Sequence, residues 1–331
     1  MLFVQMSGTR RVFERADSVS VSAVFTAQVP TAIPSDEMLA TPSSPGSPSR
    51  GPSLDLDIMI QQGHHLAEHQ AANELLYRLN HARQTFDFVT RQVRSNQSLA
   101  RCQMDVWTAL EMLNGLREYE AVLSGDENLD PDLPLLDHAL QTAALCRQMF
   151  PEDEWMPLVG LMHGLGKLLA HEKFGSQQQW AICGETFPVG CRFSSAVVHA
   201  SYFSANPDRR KKQYSTALGI YQPNCGFRSV FMSWSGAEYL YMMLALNKTG
   251  LPREALWLLR YQKFKSLLKP GARAYRELMC DFDASMVPKL EKFVDVIQYK
   301  RREIEFDREE LKQHCDGLIA KYFPNGPVLR W

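Results

Sequence analysis

Seven cysteines and one run of four cations are the first side chains in this sequence whose types could do chemistry. The cysteines are Cys102, Cys146, Cys183, Cys191, Cys225, Cys280 and Cys315. None forms a CxxC pair, and Cys183 and Cys191, the two nearest, stand at a spacing that suits zinc poorly. An odd set of thiols with no secretory signal before it reads as reduced cysteine, so a cytoplasmic protein is expected. The cations, Arg209-Arg210-Lys211-Lys212, follow Asn206-Pro207-Asp208 and read first as a solvated loop, with phosphate binding as the functional alternative. GxGxxG, GxxxxGK and GxSxG patterns are absent, which argues against dinucleotide, P-loop and serine-hydrolase chemistry. With 36 Lys+Arg against 37 Asp+Glu, the chain has no global basic excess, so no nucleic-acid partner is expected. No apolar run reaches the roughly 18 residues that span a bilayer, so a soluble protein without a membrane partner is expected.

The elements that would position such groups are helical. Residues 1–60 are expected to be a disordered extension. Its first 30 residues mix Arg10, Arg11 and Arg15 with Ser and Val, a composition also compatible with mitochondrial import. The stretch from Pro34 to Ser53 is rich in Pro, Ser and Gly and cannot build a packed core, and Thr41, Ser44 and Ser47 each precede a proline there. Residues 61–331 are expected to form one domain. Leu75, Leu79, Ala82, Phe86, Val89 and Val93 make an apolar helix stripe. Further helices are predicted at Leu135 to Phe150, Trp155 to Ala170 (apolar nearly all round, hence central), Ser229–Asn247, Arg253–Leu268, Val287–Arg301 and Arg308–Tyr322. Strand-like alternation is almost missing. The predicted class is all-α.

From Leu135 onward the sequence resembles a known family. LLDHALQTAALCR, LVGLMHGLGK, QWAICGETFPVGC, YSTALGIYQPNCG, MSWSGAEYLY, LNKTGLP and the terminal LIAKYFPNGPVLRW are similar to successive segments of myo-inositol oxygenases. HARQTFDFVTRQ and MDVWTALEMLNGL extend the resemblance back to about Glu74. The resemblance implies a helical bundle of HD type. In it two irons, held by four histidines and two aspartates, use dioxygen to cleave myo-inositol to D-glucuronate. Two adjacent irons concentrate positive charge, and carboxylates are needed to bridge and neutralise them.

Carried over residue by residue, the resemblance leaves two of those six ligands. His138 and His163 stand at histidine positions, but the aspartate that should follow His163 is Gly164. The third histidine is replaced by Gly236, the fourth by Gln262, and the last aspartate position aligns with Lys300. The resemblance also marks a substrate pocket at Asp126, Asp130, Lys167, Gly184, Glu185 and Lys263, with Glu185 standing for an aspartate, Lys263 for a serine and Gln62 for an arginine. Lys167 is the one pocket lysine kept.

The expected function is therefore that of a pseudoenzyme, a catalytically inactive inositol oxygenase homologue serving as a ligand-binding or protein-interaction module. The alternative is an active oxygenase with replacement ligands recruited from His171, Glu172, His199 or Glu185. No cofactor is expected beyond a weakly held single metal on His138 and His163. A small polyol or anion in the vestigial pocket and a monomeric state complete the expectations. Lys300 is expected to stand in for lost positive charge by pairing with Glu185 or with the Asp126/Asp130 segment.

Overall fold

The computed structural model describes residues 66–116, 132–269, 275–298, 300 and 304–331. By contacts the chain divides into Met1–Pro42 and Ser43–Trp331, and every described residue lies in the second unit. The expected N-terminal extension, Gln62, Asp126 and Asp130 lie outside the described residues.

Among the described residues the α-helices are α1 Leu66–Arg83, α2 Phe86–Asn96, α3 Val106–Asn114, α4 Leu135–Met149 and α5 Met156–Met162, followed by α6 Gly236–Leu246, α7 Arg253–Tyr261, α8 Lys265–Leu268, α9 Asp281–Val296 and α10 Arg308–Tyr322. The only strands there are Gln103–Met104 and Leu329–Arg330, a two-residue antiparallel pair that ties the C-terminus to the loop before α3. Trp331, wholly buried, completes the tie by donating its Nε1–H to the Met104 carbonyl at 3.1 Å. The protein is all-α, as the apolar spacing predicts. No described helix is long and apolar enough to cross a membrane.

Local sequence sets the helix limits. Thr85, Asp105 and Ser235 cap the N-termini of α2, α3 and α6 by accepting backbone N–H groups with their side-chain oxygens. The predicted continuous helix from Trp155 to Ala170 is in fact two elements. It turns at His163 and Gly164 into a 3-10 helix, Leu165–Ala170. Continuous apolarity conceals such a break, because both pieces are buried. Ser229–Asn247 likewise begins as irregular chain, and the helix proper starts after the Ser235 cap. The predicted helix Val287–Arg301 errs the other way, since α9 begins at Asp281 and carries Pro288 within it. Pro288 is the eighth of its sixteen residues, so the helix forgoes one interior hydrogen bond there.

The core lies where α4, α5, α6, α7 and the 3-10 helix meet. α5 and α6 are buried along their length, and Leu158, Val159, Leu161, Met162, Leu240, Met242 and Met243 are fully enclosed. Between Ala181 and Tyr221 the chain runs as short 3-10 turns.

Candidate functional site

His138 sits in the first turns of α4 and His163 at the C-terminal end of α5, and the fold brings the two together. Their rings are 5.2 Å apart at 75°, and both side chains are buried. His163 Nδ1 lies 2.6 Å from the Gly160 carbonyl. A carbonyl only accepts, so Nδ1 carries a proton toward it. His138 Nε2 lies 3.5 Å from the Thr142 hydroxyl one turn along the helix. Burial holds the His138 imidazole well below its ordinary pKa, and the neighbouring His163, Lys167 and Lys263 press the same way. His138 is therefore held neutral in a basic setting.

Around it the positions assigned by resemblance are filled in specific ways. Gly164 forms the corner between α5 and the 3-10 helix, and its carbonyl accepts from Lys167 N at 3.0 Å. Gly236 opens α6, and here backbone meets backbone. A Cβ built on Gly236 would lie 2.9 Å from the Gly166 carbonyl carbon and 3.0 Å from its oxygen. A Cβ on Gly166 would lie 1.9 Å from the Gly236 oxygen. The two glycines let the 3-10 helix and α6 close on each other over the place where the third histidine would stand. Gln262, at the end of α7 and 2% exposed, donates its Nε2–H to the carbonyls of His163 and Leu259, each at 3.0 Å. Its Oε1 is buried and has no hydrogen-bond partner. His163, Gly164, Lys167, Gly236, Gln262 and Lys263 line a cavity of about 20 Å³. That is room for one water.

Two expected members are elsewhere. Glu185 follows Gly184, whose φ of 91° is the left-handed conformation that glycine adopts without strain. The Glu185 carboxylate is 1% exposed and accepts from the N–H groups of Val198 at 2.8 Å and Ser266 at 2.5 Å. It is a loop anchor, satisfied by backbone donors, and needs no cation. The expected Lys300–Glu185 pair is therefore not formed. Lys300 is half-buried, and its carbonyl accepts from Gln141 Nε2 at 2.7 Å. It enters no ion pair among the described residues. The suggested recruits stay apart too. His171 caps a 3-10 turn and accepts from Lys173 N at 3.2 Å, and His199 is exposed beside Tyr77 and Tyr202. Among the described residues no three His, Cys, Asp or Glu side chains converge as a metal site would require.

Sequence reasoning missed the strongest polar element near the site. Arg260 of α7 and Glu238 of α6 form a buried two-pronged pair at 2.7 and 2.8 Å. Arg260 also donates to the Val230 carbonyl at 3.0 Å and to the Tyr261 hydroxyl at 2.9 Å. The available signal was Glu238, the lone charge in the otherwise apolar α6, a pattern that implies a buried partner.

An all-α core organised about two facing histidines, a His-Gly corner and the SWSGAEY helix start defines a protein of the helical HD type. A family profile described as myo-inositol oxygenase matches residues 70–331. The chain is 38% identical over 265 residues to the probable inositol oxygenase of Oryza sativa subsp. japonica, covering 80% of this chain and 82% of that protein. It is equally 38% identical over 265 residues to inositol oxygenase 1 of Arabidopsis thaliana, with the same coverage. To the inositol oxygenase of Mus musculus it is 39% identical over 256 residues, covering 77% of this chain and 85% of that one. The chain belongs to the myo-inositol oxygenase family.

Proposed function

We propose that this protein keeps the inositol-oxygenase fold without its paired-iron centre, and that it acts as a binding module rather than as an oxygenase. The observation that carries this reading is the Gly166–Gly236 approach, which occupies with backbone the space a third histidine ligand needs. The remaining donor chemistry points the same way. Gln262 commits its amide donor to backbone carbonyls, Gly164 offers no carboxylate, and no described carboxylate lines the cavity. Two irons placed beside two histidines and two lysines would lack the bridging and charge-balancing anions that such a centre demands. The residues present do not fit that group, and no catalytic step is derived through it.

Recognition of a polyol in the old pocket is also weakened, because small-molecule sites usually offer roughly 300–1,000 Å³ and this cavity is near 20 Å³. We place the protein in a reducing compartment such as the cytoplasm, a reading supported by seven free thiols. The test is turnover. Purified protein supplied with ferrous iron, a reductant, dioxygen and myo-inositol should form no D-glucuronate above a protein-free control. Sustained glucuronate formation with matching oxygen uptake would overturn the proposal.

A further inference from the structure

A second concavity lies away from the histidine pair, with a different chemistry. A cleft of about 470 Å³ opens between residues 191–203 and 208–215. Arg192 and Arg209 line it together with the hydroxyl side chains of Ser194, Ser195, Ser201 and Ser215. Phe193 and Phe203 stack beneath with centroids 4.1 Å apart and planes 3° from parallel. From Cys191 to Thr216 the chain carries Arg192, Arg209, Arg210, Lys211 and Lys212 against a single acid, Asp208.

That acid does not neutralise the cleft. Asp208 is 1% exposed. Its Oδ2 accepts from Phe86 N at 2.6 Å, and its Oδ1 lies 2.9 Å from Lys211 Nζ. Arg192, Arg209, Arg210 and Lys212 enter no ion pair among the described residues. The walls are nonetheless held firmly by buried bonds. Arg192 N donates to the Thr216 carbonyl at 2.9 Å and Ser194 N to the Tyr275 hydroxyl at 2.9 Å. Glu185 fixes Val198 at 2.8 Å, and the Asn206 amide donates to the carbonyls of His81 at 2.7 Å and Gln84 at 3.1 Å. A charged cleft set in advance by its scaffold loses little order on binding.

We propose that this cleft binds a small organic phosphate. The guanidinium groups of Arg192 and Arg209 grip the phosphate oxygens, the hydroxyls of Ser194, Ser195 and Ser201 donate to the same anion, and the carbon part rests against the Phe193–Phe203 stack. Planar guanidinium forks match phosphate oxygens in pairs, which separates this assignment from a simple attraction for any anion. The volume falls in the usual small-ligand range of roughly 300–1,000 Å³. An overall formal charge of -1 disfavours a long polyanion, whose binding needs a broad basic surface. The proposal is independent of whether iron is held at the histidine pair.

Isothermal titration of the full chain at low salt, with inorganic pyrophosphate and glucose 6-phosphate as probes, tests it. The parent should show one saturable site for at least one probe. The Arg192→Gln/Arg209→Gln variant, whose changes lie at exposed side chains, should keep the parent's circular dichroism and bind at least tenfold more weakly. Arg147→Gln, which removes one positive charge from α4, should bind as the parent does. Heat from neither probe would overturn the proposal, and so would equal weakening by Arg147→Gln, which would mean nonspecific charge. Vesicles carrying a phosphatidylinositol phosphate provide a further arm. Binding to them by a protein that ignores both soluble probes would overturn the small-ligand assignment in favour of a membrane headgroup.

Discussion

Restoring the family's third histidine should harm this protein. In Gly236→His the new Cβ would stand 2.9 Å from the Gly166 carbonyl carbon, 3.0 Å from its oxygen and 3.3 Å from Lys167 N. All three are backbone atoms of the tightly wound 3-10 helix, so no flexible side chain can swing aside. Overpacking of this kind costs about 1–3 kcal/mol, and the imidazole must also enter a cavity of about 20 Å³. Removing a glycine from a helix returns at most about 0.5–1 kcal/mol, and less at a first-turn position. The net expectation is a loss of about 1–2 kcal/mol, or a fall in Tm of roughly 2–4 °C per kcal/mol for a domain of this size. Gly236→Ala isolates the Cβ contact and should lie between parent and histidine variant. Gly166→Ala, with its Cβ 1.9 Å from the Gly236 oxygen, should be the worst of the three. Urea unfolding of the purified variants gives the order directly. A Gly236→His protein as stable as the parent would refute the argument that backbone has closed the site.

Other consequences are as direct. Glu238→Gln strands the Arg260 guanidinium in the core and should cost about 3–5 kcal/mol, read by the same unfolding assay. Replacing both partners with apolar residues should recover much of that loss. Lys300→Met should change stability by less than about 0.5 kcal/mol, because that side chain makes no ion pair among the described residues. Thiol labelling under native conditions should mark Cys102, Cys225 and Cys280 first. Burial pushes the Cys191 and Cys315 thiols up to about 12, so near pH 8 they stay protonated and should label only on unfolding. Raising the pH to 9 should speed Cys102 and Cys225 and leave Cys191 and Cys315 slow.

The helices were largely legible because their apolar stripes repeat at helical spacing, and α2 and α4 need little more than that. The break after His163 was not legible, since a run such as LVGLMHGLGKLLA is apolar on every face and periodicity carries no phase there. The start of α9 was hidden by Pro288, which reads as a boundary although the structure holds it in the middle of the helix. Within the candidate site, the resemblance picked out His138 and His163, and the fold sets them face to face. The Gly166–Gly236 contact could not be read, because it joins backbones far apart in the chain and leaves no pattern in side-chain type. The anchoring role of Glu185 was hidden for a related reason. Its partners are the N–H groups of Val198 and Ser266, and every residue except proline offers one, so the sequence does not mark them.

Iron content tests the central claim most directly. The full chain should be expressed in iron-supplemented medium, purified without chelator and measured by elemental analysis beside an inositol oxygenase handled identically. Trace iron well below one per chain, with a Tm indifferent to chelator and to added ferrous iron, is the result expected of a fold without the metal centre. Paired iron near full occupancy, together with a chelator-induced drop in Tm, would contradict the account.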